Sequence, residues 1–242
     1  MPNPDQPIIN AVARAYALYG QQASTWMTDF TRQGGKVHCH AGCMNCCNFP
    51  IRVSLPEALL TAQKLSLEQQ KSMDIRAKEI IQNANRATSW NQYFQQHREK
   101  IGYCPLLDQS TGACTAYEAR PARCRDTFSA LSNHYCKVGT LEQMNRQEQA
   151  AYRRQVKANP ATDGQTHYIA ALEDMGQNIW EVASRSMKSA WGLEVWGDFW
   201  VLTALSQNPD FMGAIRAGQG KKAIRAAKKI GLWNIEIVQV SQ

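Results

Sequence analysis

No stretch of this chain approaches the roughly 18 uncharged apolar residues that a membrane-spanning helix requires, so no span is expected. Its start, from Met1 to Pro7, carries neither a basic region nor an apolar core and does not read as a secretory leader. A cytoplasmic location is the expectation. The glycine-rich phosphate loop, the G-x-S-x-G elbow and the H-E-x-x-H helix are all missing. A nucleotide-binding Rossmann unit is missing too, which argues against a self-contained conventional methyltransferase. There is no internal repeat, no low-complexity linker, and no cysteine after Cys136.

What is present is concentrated. The 242 residues contain eight cysteines, all between Cys39 and Cys136. In a reducing compartment clustered thiols hold metal or do redox work more often than they form disulfides. The length suffices for a real hydrophobic core, so no staple is needed merely for size. Net charge is +7. Such a balance suits a somewhat basic soluble surface, and it also suits an acidic partner.

The first segment has helical spacing, with Ile8, Val12, Ala15, Tyr16 and Tyr19 on one stripe that Trp26 and Phe30 prolong. Gly34 and Gly35 end it. A short strand is expected within Phe49 to Val53. Ser54-Leu55-Pro56-Glu57 then reads as a helix start with a capping box. Leu55, Leu59, Ala62 and Leu65 form its apolar face, and Met73, Ala77, Ile80, Ile81 and Ala84 form that of the next helix. Trp90, Tyr93 and Phe94 are expected to close this unit onto the core. Tyr103 to Leu107 and Ala113 to Tyr117 flank a turn and predict a hairpin that brings Cys104 near Cys114. Pro121 excludes a continuous helix through the following stretch.

Beyond Cys136 the pattern is helical, with a capping box expected at Thr140 and Gln143 and a long helix from about His167 to Met187. Trp191, Trp196, Phe199 and Trp200 read as a helix packed into the core. Asp210 to Lys229 reads as a basic helix interrupted by Gly218 and Gly220, its Arg216, Lys221, Lys222, Arg225, Lys228 and Lys229 forming a solvated face. Trp233 to Val240 is compatible with a strand. The expected fold is mainly α with a small β-hairpin, an irregular cysteine-rich metal-binding core being wrapped by helices. Residues 1–137 would form the cysteine-cluster domain with its N-terminal helix, and 138–242 a helical extension packed on it.

Cys39-x3-Cys43-x2-Cys46-Cys47 is the strongest chemical signal. Four thiols so close in sequence converge only if the backbone loops tightly, and Gly42 permits the turn. Thiolates suit zinc and iron–sulfur clusters and poorly suit magnesium or calcium. Structural zinc favours paired C-x2-C arms or a Cys/His mixture. A cube often takes three cysteines from one run and one from afar, which fits this run slightly better. The same spacing matches the run of radical-SAM enzymes, but their repeated strand–helix units do not follow it here. His38 and His40 read as bystanders.

Downstream stand Cys104-Pro105-Leu106-Leu107, Cys114-x2-Tyr117 and Arg120-Pro121-x2-Cys124-Arg125. With the first run, this series resembles the YkgJ-type CxxCxxCC cysteine-cluster family, zinc- or iron-chelating proteins that include flagellin lysine N-methylases. The likeness covers about residues 36 to 128, with an x3 gap between Cys39 and Cys43 where the family name implies x2. What it implies is a chelating domain whose ligands are Cys39, Cys43, Cys46, Cys47, Cys104, Cys114 and Cys124. Cys136 lies outside the motif and is counted as an eighth candidate. Seven or eight thiols exceed one four-ligand site, so either two centres form or some cysteines serve otherwise. Arg120, Arg123 and Arg125 would offset the charge of a thiolate site or bind an anionic group, the alternative being a structural ion pair between Arg120 and Asp126.

Three functions compete. The first is a protein holding an iron–sulfur (4Fe-4S) cluster, acting as an electron carrier, an oxidoreductase or a protein-modifying enzyme, lysine methylation being implied by the resemblance. The second is a zinc-binding interaction module without catalysis. The third is a thiol-based redox sensor. A protein substrate or partner is expected. Nucleic acid is not the expected partner, although the basic segment leaves it open.

Overall fold

The structure is a computed structural model, described here for residues 3–241. Met1 and Pro2, part of the start read above as leaderless, and Gln242 lie outside the described residues.

Helix α1 (Gln6–Arg32) follows the predicted stripe, burying Ile8, Ile9, Val12, Ala15, Tyr16, Tyr19 and Ala23. Arg32 ends it, and Gly34 leaves in the left-handed region at φ 87°. Strand β1 (Arg52–Ser54) runs directly into α2 (Leu55–Ala62). The capping box at that junction forms: the Ser54 N–H donates to Glu57 Oε2 at 2.9 Å, and Glu57 N–H to Ser54 Oγ at 3.4 Å. Helix α3 (Leu67–Arg86) buries Met73, Ala77, Ile80 and Ile81. Helix α4 (Trp90–Gln96) buries only Tyr93, while Trp90 stays 57% exposed, so the expected aromatic closure is partial. A π-helical turn follows at His97–Ile101.

The hairpin is shorter than predicted, with β2 (Leu107–Asp108) and β3 (Ala113–Cys114) pairing Leu107 to Cys114. Asp108 stabilises the turn by accepting from the Ser110 N–H at 2.9 Å and the Thr111 hydroxyl at 2.8 Å. Helix α5 (Ala122–Asp126) begins straight after Pro121. The sequence placed a cap at Thr140 and Gln143. In the structure α6 (Arg146–Ala158) starts later, because Asn145 accepts from the backbones of Gln147 and Glu148 while Glu148 reaches back.

Helix α7 (Ala170–Trp191) is the predicted long helix, shifted a few residues onward and ended by left-handed Gly192. The aromatic stretch is only partly helical. Trp196 lies in β4 (Glu194–Asp198), the middle strand of an antiparallel sheet ordered β1–β4–β5, with Phe199 and Trp200 opening α8 (Phe199–Leu205). Strand β5 (Val238–Ser241) supplies the expected terminal strand. A helix through Trp196 was ruled out by alternation: Val195 and Gly197 face inward, and Gly197 meets the Ile237 carbonyl so closely that a Cβ there would stand 2.6 Å away.

The basic segment divides at its glycines into α9 (Pro209–Arg216) and α10 (Gly220–Lys229). Ala223 and Ala227 face the core, leaving Lys221, Lys222, Arg225, Lys228 and Lys229 in solvent. Arg216 leaves this group. It forms an ion pair with the buried Asp5 at 2.7 Å, tying the foot of α1 to the end of α9. Apolar residues from both the cysteine-bearing half and the C-terminal half merge into one buried cluster. Among the described residues no helix is long and apolar enough to cross a membrane.

Candidate metal centre

Glu57 organises the frame around the cysteines. Its carboxylate is fully buried and accepts from Ser54, from the Tyr16 hydroxyl at 3.0 Å and from the Ala122 N–H at 2.8 Å. One side chain thereby locks α1, α2 and the first turn of α5, and it fixes where Cys124 sits. Gly176 lets α5 approach α7: a Cβ there would lie 2.4 Å from Asp126 Oδ2.

The loop carrying Cys39 to Cys47 runs between two other segments. On one side, the His38 N–H donates to the Ser129 carbonyl at 2.9 Å, and the Ser129 N–H returns a bond to Cys39 Sγ at 3.3 Å. The Asn133 amide donates to Cys43 Sγ at 3.4 Å, while Asn45 donates to the Asn133 carbonyl at 3.0 Å. The 129–136 strip is itself pinned where the Ala130 N–H meets the His167 carbonyl and the Ile169 N–H meets that of Phe128, each at 2.9 Å. On the other side, the Cys104 N–H donates to the Cys47 carbonyl at 2.8 Å. Gly42, at φ 84°, lies against Gly112 of the hairpin so tightly that a Cβ on Gly112 would stand 2.3 Å from the Gly42 carbonyl oxygen. The turn expected at Gly42 is therefore present, and it also seats the hairpin.

These contacts gather the eight thiols, all unpaired, into one neighbourhood. Burial pushes Cys104 and Cys136 up to about 12. It also raises Cys39, where the Ser129 N–H pulls the other way. For Cys104 the Leu106 N–H and the Trp200 indole act in that same downward sense. The bond between Cys46 and Cys47, followed by burial, raises Cys46; burial and then Cys104 raise Cys124; Arg120 opposes both. Thiols held this way stay protonated until a cation takes the protons' place, so metal uptake releases protons. Among the described residues no three His, Cys, Asp or Glu side chains already close around a single ion.

Arg120 stands out among the three arginines. It lies over the Tyr117 ring at 3.7 Å, and its Nε is buried without a partner. A buried donor beside Cys46 and Cys124 awaits an acceptor, as thiolates or inorganic sulfide would be. Arg123 does something else: it pairs with Glu173 at 3.0 Å and Asp126 at 3.6 Å. The structural ion pair envisaged between Arg120 and Asp126 is thus made by Arg123, one helical turn closer to the carboxylate. Arg125 donates to the Arg120 and Glu118 carbonyls and stacks on Tyr16 at 4.2 Å.

Several contributors escaped the sequence reading. Arg98, 6% exposed, donates to the Cys136 carbonyl at 2.7 Å and lies over Phe49 at 4.0 Å. The His167 ring places Nε2 at 3.3 Å from Cys136 Sγ, and the Tyr152 hydroxyl meets Nδ1 at 2.9 Å. Burial lowers His167 to about 4, so its ring is neutral near pH 7. With Tyr152 donating to Nδ1, the ring proton sits on Nε2 and faces the sulfur. No motif spacing flags any of these residues. His40 contacts its neighbouring carbonyl and Asn133, in keeping with a bystander.

Residues 38–155, slightly under half of the chain, match a family model described as "Putative zinc- or iron-chelating domain". This segment is a CxxCxxCC domain. The match covers all the candidate cysteines, including Cys136, and stops before His167. No curated protein and no solved structure matches the chain. The CxxCxxCC domain gives the chain its established character, a cysteine cluster that chelates zinc or iron. The residues suit such a group: the donors are soft thiols, N–H groups already point at Cys39 and Cys43, and Arg120 offers an unanswered cation.

Proposed function

We propose that the CxxCxxCC domain holds an iron–sulfur centre of the 4Fe-4S type, ligated from among Cys39, Cys43, Cys46, Cys47, Cys104, Cys114, Cys124 and Cys136. The observation that carries this reading is the unpartnered Nε of Arg120 beside Cys46 and Cys124, within a set of thiols that accept N–H bonds. Sulfurs receiving such bonds are the usual setting of iron–sulfur clusters, whose potentials depend on them. Such a centre supplies one-electron transfer when bound. The protein's own residues shield the thiols, orient them and place Arg120, His167 and Arg98 around them. A cytoplasmic location belongs to the same proposal, since a reducing compartment keeps the thiols available.

Lysine methylation of a protein partner is the finer extension of this reading. It needs a methyl donor besides the cysteines and is tested separately, by methyl transfer to candidate proteins. Zinc is the second reading, favoured by the equally suitable thiol donors. Purification without oxygen separates the two. The account expects a brown protein with broad absorption near 400 nm, roughly placed for cube-type clusters. A colourless protein carrying stoichiometric zinc would contradict it.

A further inference from the structure

We infer that the eight cysteines serve two metal centres, dividing into Cys39, Cys43, Cys46 and Cys136 on one side and Cys47, Cys104, Cys114 and Cys124 on the other. This rests on the metal-binding reading above and goes beyond it, because neither the motif nor the family match says how many centres form.

The first set has its own frame. Cys39 and Cys43 receive N–H bonds from Ser129 and Asn133, and Cys136 ends the short helical turn that begins at Asn133. The strip from Ser129 to Cys136 therefore lies along the loop from His38 to Asn45 and brings its cysteine to the same place. The thiols that act most strongly on Cys136 are Cys46, Cys39 and Cys43, in that order. Behind Cys136 stands His167, which aims a ring nitrogen at the sulfur.

The second set is held by different elements. Cys47 is bonded through its carbonyl to the Cys104 backbone, and Cys114 faces Leu107 across the hairpin, three residues from Cys104. Cys124 is placed by α5, whose first turn Glu57 holds. The thiols acting most strongly on Cys124 are Cys104, Cys46 and Cys114. Donors from Leu106 and Trp200 serve Cys104, where Ser129 and Asn133 serve the first set.

Adjacent Cys46 and Cys47 form the seam. Cys46 acts on members of both sets, while the backbone of Cys47 is joined to Cys104, so one peptide bond sends its two thiols opposite ways. Arg120, within reach of Cys46 and Cys124, stands between the sets, where a cation reduces the repulsion of two thiolate centres. Four thiols complete either a zinc site or a cube, so eight complete two.

The test is metal and sulfide content per chain in the full-length protein purified without oxygen, compared with C43A and C114A. Each variant removes one ligand from one set. Two centres predict that each variant keeps about half of the wild-type metal and that C43A/C114A keeps almost none. If C43A does not fold, as judged by circular dichroism, C39A reports on the same set. Loss of all metal in one variant with none lost in the other overturns the division and leaves the iron–sulfur reading standing. Two zinc ions without sulfide, halved by each variant, uphold the division and overturn the iron–sulfur reading. Protein without metal overturns both.

Discussion

His167 shows how a side chain outside the matched segment finishes the setting of a cysteine inside it. Its ring bridges Tyr152 and Cys136, and nothing else among the described contacts replaces that bridge. His167→Ala should lower stability by about 1–3 kcal/mol, because a buried hydroxyl and a thiol lose their partner. A thermal melt of the metal-free chain reads this loss, and an unchanged midpoint would remove the ring from the account. Asp198 gives a second prediction, from pH. It caps α8 by accepting from Trp200 and Val201, yet burial raises it from 3.8 to about 7. The folded chain therefore keeps a proton on Asp198 that the unfolded chain releases near pH 3.8. That contribution to stability is complete below 3.8 and is lost as pH rises through about 7. Asp198→Asn keeps the capping oxygen without the titration, so its melting temperature should gain on the wild type between pH 4 and 7. A gap independent of pH would contradict this. Neither residue was legible beforehand: a lone histidine and a lone aspartate carry no spacing, and their meaning comes from partners distant in sequence.

At the scale of elements, the outcome followed how local the deciding interaction was. The stripe from Ile8 to Tyr19 and the box at Ser54 and Glu57 are specified within a few residues, and both formed. The start of α6 was misplaced because Thr140 and Gln143 offer the same chemistry as Asn145 and Glu148, which won. Trp196 was read as helical because aromatic density says nothing about sheet pairing, and its partners Ser54 and Gln239 come from opposite ends of the chain. Glu57 was visible as a cap but not as the anchor of α5. Glu57→Ala should cost about 3 kcal/mol or more, since it leaves the Tyr16 hydroxyl and the Ala122 N–H buried without an acceptor. Denaturant unfolding measures the cost. Glu57→Gln should recover only part, because an amide supplies one acceptor oxygen where the carboxylate uses two. A neutral alanine variant would show that α5 is held by packing alone. Gly176→Ala belongs at this scale too. A methyl group there meets the Asp126 carboxylate, so α5 and α7 must separate, at a cost of about 1–3 kcal/mol by the same measurement.

For the molecule as a whole, the cysteine motif was readable because it is short and chemically unambiguous, and the family match extends over it. The way three separate segments enclose it was not readable. Ser129, Asn133 and Arg98 reach the site through backbone and amide contacts that any polar residue would advertise equally. The same holds for the basic face of α10, whose alanines pack inward and whose charges remain in solvent, while Arg216 turned out to serve Asp5. What unites these parts is a protein that folds around thiols and keeps them from water, with a cation already waiting beside them. Acid-labile sulfide, measured in the chain purified without oxygen, tests that account most directly. An iron–sulfur centre predicts sulfide in about equal amount to iron. Iron or zinc without any sulfide would contradict it.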